Sequence, residues 1–152
     1  MERVLLCTVL VFTAIIATGS GVVEAQEQRP NVDESGVAIA GYDPIAYFAE
    51  GQPREGSPRY TYTHNGSTYR FASAGNRDLF ASDPERYAPA YGGWCAYAMA
   101  DGNYASIDPH AWVIHEGRLY LNYSRRINRR FEGAIDAFIE SADRAWRALA
   151  ED

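Results

Sequence analysis

Two stretches of the chain alternate side chains with the period of a half-buried strand. In residues 59–64, Tyr60 and Tyr62 share one face while Thr61 and Thr63 share the other. Residues 67–71 run back with Tyr69 and Phe71 on one face, and Asn65-Gly66 between them tolerates the positive φ of a tight hairpin turn. Residues 112–116 and 118–123 repeat the alternation around Glu116-Gly117 and predict a second hairpin, whereas 51–58 and 101–109 read as loops. The period then changes. Ile127, Phe131, Ile135, Phe138, Ile139, Ala142, Trp146 and Leu149 fall mostly three or four apart, the stripe of a long C-terminal helix. Ser124 caps that helix and Gly133 is the place for a kink. Short helices are predicted at 44–48 behind Asp43-Pro44, after Ser73 through Asn76, Leu79 and Phe80, and at 84–87 behind Asp83. The fold class that follows is α+β: a small antiparallel sheet built from two β-hairpins, with short helices and the long C-terminal helix packed on it.

The ends of the chain set its compartment. Residues 4–17 are apolar behind Arg3, and small residues lead to Val23-Glu24-Ala25, the pattern of a secretory leader cleaved before Gln26. Residues 4–23 are also uncharged for long enough to span a bilayer if the leader stays on. Either outcome places the domain outside the cytoplasm, in a bacterial periplasm or the extracellular space, touching a membrane only through an uncleaved leader. The division expected is a signal peptide at 1–25, a flexible polar linker at 26–36 and one domain at 37–150, enough residues for one core. Cleavage removes Cys7 and leaves Cys95 alone, so no internal disulfide is available. The formal net charge of −6 argues against a nucleic-acid partner, although every cation but the histidines is arginine.

The ordered pieces Asp43-Pro44-Ile45, Asn65-Gly66-x-Thr68-Tyr69-Arg70-Phe71, Arg77-x-x-Phe80 and Asp83-Pro84-x-x-Tyr87 resemble the YHS domain family. The resemblance covers residues 41–91, and the chain on to 123 is similar to the family's small exported members. It implies a compact α+β binding module. Metal-binding members of that family place cysteines after Asp-Pro-x and twice in a Phe-Cys-x-x-x-Cys run. Here Ala46, Ala72 and Asn76 stand in those places, and alanine has no lone pair to offer a metal.

The remaining chemistry is scattered. Tyr42 and Asp43 are candidates to line a pocket beside the first hairpin. Gly92 and Gly93 let the backbone bend tightly or approach a ligand closely. Cys95 and Met99 lie four apart, one face of a helix, and a thiolate with a thioether suits Cu(I), so copper is the metal to expect if there is one. His110, behind Pro109 in a loop, is a further candidate that could also activate the thiol. His64 and His115 lack a paired ligand spacing and read as strand residues near solvent. Arg125, Arg126, Arg129 and Arg130 crowd the start of the last helix, where positive charge opposes the helix dipole. That placement suggests an anion or acidic-partner site. No phosphate loop, nucleophile elbow or third group for a Cys95–His110 pair appears, so no catalytic residue is assigned. The function expected is an exported small-ligand or soft-metal binding module. A protein-interaction domain with Cys95 buried is the alternative, and a thiol-dependent enzyme stands behind both.

Overall fold

The structure is a computed structural model that describes residues 28–151; the expected leader lies outside them. The α+β architecture is as expected, and each hairpin forms its own two-stranded sheet. Strand β1 (Ser57–His64) pairs antiparallel with β2 (Ser67–Phe71), and β3 (Asp108–His115) with β4 (Arg118–Asn122). Asn65-Gly66 and Glu116-Gly117 hold φ of 46° and 75°, and 49° and 76°, so both turns use consecutive left-handed residues. α1 (Pro44–Ala49) precedes the first hairpin, and α2 (Ala74–Ser82), α3 (Pro84–Tyr87) and α4 (Ala96–Met99) lie between the two. Caps set their starts: Asp43 accepts from Ile45 N, Ser73 from Asn76 N and Asp83 from Arg86 N.

β3 starts earlier than the alternation shows. Asp108 pairs with Asn122 while Trp112 pairs with Leu121, so three extra residues on β3 bulge out between the two pairs. Pro109, which cannot donate to a ladder, and His110 sit in that bulge. The reading of 101–109 as loop with His110 behind it is therefore corrected: His110 belongs to β3. β1 behaves alike, with Ser57 opposite Phe71 and Thr61 opposite Arg70.

The C-terminal stripe is split between α5 (Arg125–Glu132), capped by Ser124, and α6 (Ile135–Glu151). The break falls at Gly133-Ala134, where glycine's low helix propensity meets a change of direction. The stripe itself continues across it, because Phe131 stacks on Phe138 at 5.8 Å and 26°.

β4 is buried on both faces. Leu119 and Leu121 join Ile45, Tyr47, Tyr69, Phe71 and Phe80 in one core. Tyr120, on the opposite face, joins Tyr91, Met99, Phe131 and Ala142 in a second, which α6 closes. Phe80 is the hub of the first core, with its ring centroid 4.7 Å from that of Tyr69 and 5.2 Å from that of Phe71. Tyr47 ties α1 to β3 by donating to Pro109 O at 2.9 Å.

The expected flexible linker is also corrected over its described part. Asn31 N donates to Gly92 O (2.9 Å) and Asn31 Nδ2 to Gly93 O (3.0 Å). The Arg29 guanidinium lies 4.8 Å from the Tyr104 ring centroid, while Trp94 Nε1 donates to Arg29 O at 2.7 Å. Residues 28–33 thus form a strap seated on the domain by backbone bonds and a cation–π contact, features that a composition-based reading of polar residues overlooks.

Buried tyrosines give the fold an alkaline limit. Burial pushes the Tyr69 hydroxyl up to about 12 and those of Tyr47 and Tyr91 higher still. The folded state holds the neutral form, whereas an unfolded tyrosine ionises near pH 10. Stability is therefore complete below pH 10 and is lost as pH rises from there through the raised pKa, which for Tyr69 is about 12. In an alkaline titration, tyrosinate absorbance is expected to show a group that ionises only together with loss of the near-ultraviolet circular dichroism. Ionisation of every tyrosine near pH 10 with the fold intact would contradict this packing.

Candidate functional site

The sequence-derived candidates separate into four places. Asp43 is fully buried, and its carboxylate is saturated. Oδ1 accepts from Ile45 N (2.8 Å), and Oδ2 from Ala72 N (2.8 Å) and from Asn76 Nδ2 (2.7 Å). One side chain thus caps α1 and clamps it to the end of β2 and the start of α2. The expectation that this carboxylate faces a ligand is corrected: charge-assisted bonds inside the core consume it. Ala72 and Asn76, two of the three positions where the resembling metal-binding domains carry cysteine, are themselves donors in this clamp. The third, Ala46, is buried and donates its N–H to Asp43 O at 3.3 Å.

Tyr42 and His110 do meet, edge to face at 5.6 Å, at the surface of the bulge. His110 also holds Asp108, through its backbone N (2.9 Å) and through Nδ1 at 3.3 Å.

Cys95 is 1% exposed and Met99 0%, so both sulfurs are core filling. The Cys95 thiol donates to Asn122 Oδ1 at 3.6 Å, and that oxygen also accepts from Tyr97 N at 3.0 Å. Asn122, fully buried at the end of β4, donates Nδ2 to Asn128 Oδ1 (2.8 Å). Asn128 in turn donates to Trp112 O (3.0 Å) and Glu132 Oε1 (2.8 Å). The thiol and His110 are partnered separately, and the thiol–imidazole pair considered from sequence is not assembled. Among the described residues, no group of three or more His, Cys, Asp and Glu side chains is placed to hold a metal ion.

Gly92 and Gly93 lie at a different kind of place. Tyr91, Gly92 and Gly93 hold φ of 55°, 61° and 83°, three left-handed residues in succession. For tyrosine this costs on the order of 1 kcal/mol. Several contacts hold it there. The Tyr91 hydroxyl donates to Asp143 Oδ1 of α6 at 2.9 Å, the Arg118 guanidinium lies 5.5 Å from its ring centroid, and Trp146 meets it edge-on at 6.2 Å. A Cβ on Gly92 would come within 3.1 Å of Arg29 O and 3.3 Å of Pro30 Cα, so the strap needs a glycine there.

This turn lines a cleft of about 360 Å³. The strap at Arg29 and Pro30 walls it, as do the tip of the first hairpin with α3 and, from the far side, Arg118 and Trp146. At the hairpin tip, His64 Nε2 lies 3.0 Å from Glu85 Oε1, and Asn65 Nδ2 reaches the same imidazole nitrogen at 3.1 Å. The cleft therefore offers aromatic and proline surface together with guanidinium, amide and imidazole groups, the mixture that small-molecule sites use. Of the sequence-derived candidates only Gly92 lines it. His64, Glu85, Tyr91, Arg118 and Trp146 were not singled out, because each stands on a different element and no spacing in sequence connects them.

The four arginines lie on the exposed side of α5, opposite Asn128 and Phe131.

Comparison of the chain with protein-family models, with curated proteins and with solved structures finds no match.

Removing the Asp43 carboxylate strands three donors at once. Asp43→Ala is expected to lower unfolding free energy by roughly 3–5 kcal/mol, read by urea denaturation. A loss under about 1 kcal/mol would show that water replaces the carboxylate and that the clamp is not needed.

Proposed function

We propose that this chain is an exported, non-catalytic module of the YHS type that binds a small organic ligand in the cleft beside Tyr91 and Gly92, with Cys95 serving the core. The observation that carries the reading is the left-handed Tyr91-Gly92-Gly93 turn on the cleft wall. A tyrosine held there by a hydroxyl bond, a cation–π contact and an aromatic edge marks backbone strain kept in place by its surroundings, and such strain clusters at binding sites. The resemblance of residues 41–91 to the YHS family supports a binding role.

The chemistry of the walls narrows the ligand. Trp146 presents aromatic surface beside the backbone of Tyr91 and Gly92, and Arg118 and Asn65 present donors. Glu85 and Asp143 already face His64 and Arg118, at 3.0 Å and 3.5 Å. A ligand with one flat apolar face and one acceptor edge, such as a small aromatic or heteroaromatic acid, stacks on the Trp146 indole and takes the donors without stranding a charge. Soft-metal binding at Cys95 and Met99 is the weaker reading, because occupying it means opening the core.

The test is saturation-transfer NMR with a panel of aromatic and heteroaromatic acids, beside the tryptophan fluorescence of the folded domain. Ala88→Trp puts an indole into the cleft wall, and Arg118→Gln removes the guanidinium. Hits are expected to weaken at least roughly tenfold in both variants, with the ring protons of the ligand receiving most saturation. Hits that bind both variants as well as the wild type, or a panel that yields none, would overturn the assignment of the cleft.

A further inference from the structure

The arginine face of α5 stands apart from the cleft. At about 100° per residue, Arg125, Arg126, Arg129 and Arg130 occupy one arc of about 140°, and Asn128 and Phe131 bury the other side of the helix. All four are exposed, and among the described residues none has a salt bridge, side-chain hydrogen bond or ring contact. Four other described arginines lie on acids: Arg54 on Glu50, Arg77 on Asp78, Arg118 on Asp143 and Arg144 on Glu140. Glu132, the acid on α5 itself, accepts from Asn128 Nδ2 at 2.8 Å. The first turn of α5 holds no acid, so Arg125 and Arg126 also meet the positive end of the helix dipole unrelieved. Next to the patch in the chain is Tyr123, 59% exposed.

Folding alone does not account for four mutually repelling, unpaired guanidinium groups at a helix start. The geometry points to a docking surface for an acidic protein, with Tyr123 as its aromatic contact. Arginine and tyrosine are the side chains that dominate protein interfaces, and the guanidinium fork matches a carboxylate two bonds at a time. The rest of the molecule selects against an extended polyanion. Outside the four, the chain carries ten arginines against twenty acids. Asp136 and Glu140, at the start of α6 just after the break, are 87% and 73% exposed at the side chain. An extended polyanion such as a bilayer surface or a nucleic acid would also meet that acidic excess. A partner whose acidic patch is only as wide as α5 would not.

The probe is a short fluorescein-labelled peptide rich in Glu and Tyr, read by anisotropy against the full domain at about 50 mM and about 200 mM salt. The comparison variant matters most. Arg129→Ala with Arg130→Ala changes net charge by the same amount as Arg54→Ala with Arg144→Ala, two arginines already paired with acids elsewhere. The α5 pair is expected to lose peptide affinity at least roughly tenfold, with the control pair within about twofold of wild type and affinity falling as salt rises. Equal losses in the two double variants would reduce the effect to net charge and overturn the proposal. So would unchanged affinity in both, or tighter binding to phosphatidylserine vesicles or duplex DNA than to the peptide. Circular dichroism melting keeps the reading clean, since removing arginine from an exposed helix turn is expected to leave the melting temperature unchanged or raised.

Discussion

A primary amide buried at the end of β4 constrains everything around it. Asn122 is fully enclosed, and an enclosed amide left unpaired costs on the order of 1–3 kcal/mol per missing bond. It is satisfied by Tyr97 N, by the Cys95 thiol and by Asn128, and Asn128 is satisfied in turn by β3 and by Glu132. One side chain therefore holds α4, α5 and both strands of the second hairpin in register. It also explains why the single cysteine of the domain is not at a surface: the thiol is one of the partners the amide requires.

β4 separates two cores, and the cleft lies at the seam between them. Leu119 and Leu121 look one way and Tyr120 and Asn122 the other, so the elements on each side pack against one strand. Where the chain passes from α3 to the second core it must turn sharply, and it does so through Tyr91-Gly92-Gly93 in left-handed conformation. The cleft opens beside that turn because the strap, the first hairpin tip and α6 converge on it without filling the space. Position and strain have the same origin: a tight passage between two separately packed halves.

Local features were legible in the sequence. Both turns, all four side-chain caps and the apolar stripe depend on residues within four of one another, and Asn65-Gly66, Ser73, Asp83 and Ser124 do what their chemistry dictates. Features that depend on distant partners were not. Asn122 ends a strand pattern and reads as a polar exit, although its partners are 6, 25 and 27 residues away. His110 reads as loop because proline precedes it, yet a bulge carries both into β3. The strap reads as linker because its anchors are backbone carbonyls of Gly92 and Gly93, which no side-chain pattern encodes. Asp43 was correctly read as a helix cap, but its second oxygen serves Ala72 and Asn76, 29 and 33 residues on.

The central claim is that Cys95 belongs to the buried amide network, with the cleft as the proposed ligand site. Its most direct test is competition for Cu(I) between the folded, reduced domain and a bicinchoninate chelator, wild type beside Cys95→Ala, with the thiol probed in parallel by Ellman's reagent. The expected result is the same Cu(I) partition for both proteins and a thiol that reacts only once denaturant unfolds the chain. Stoichiometric Cu(I) uptake that disappears in Cys95→Ala, or a thiol that reacts at once in the native protein, would contradict it and return the chemistry to Cys95.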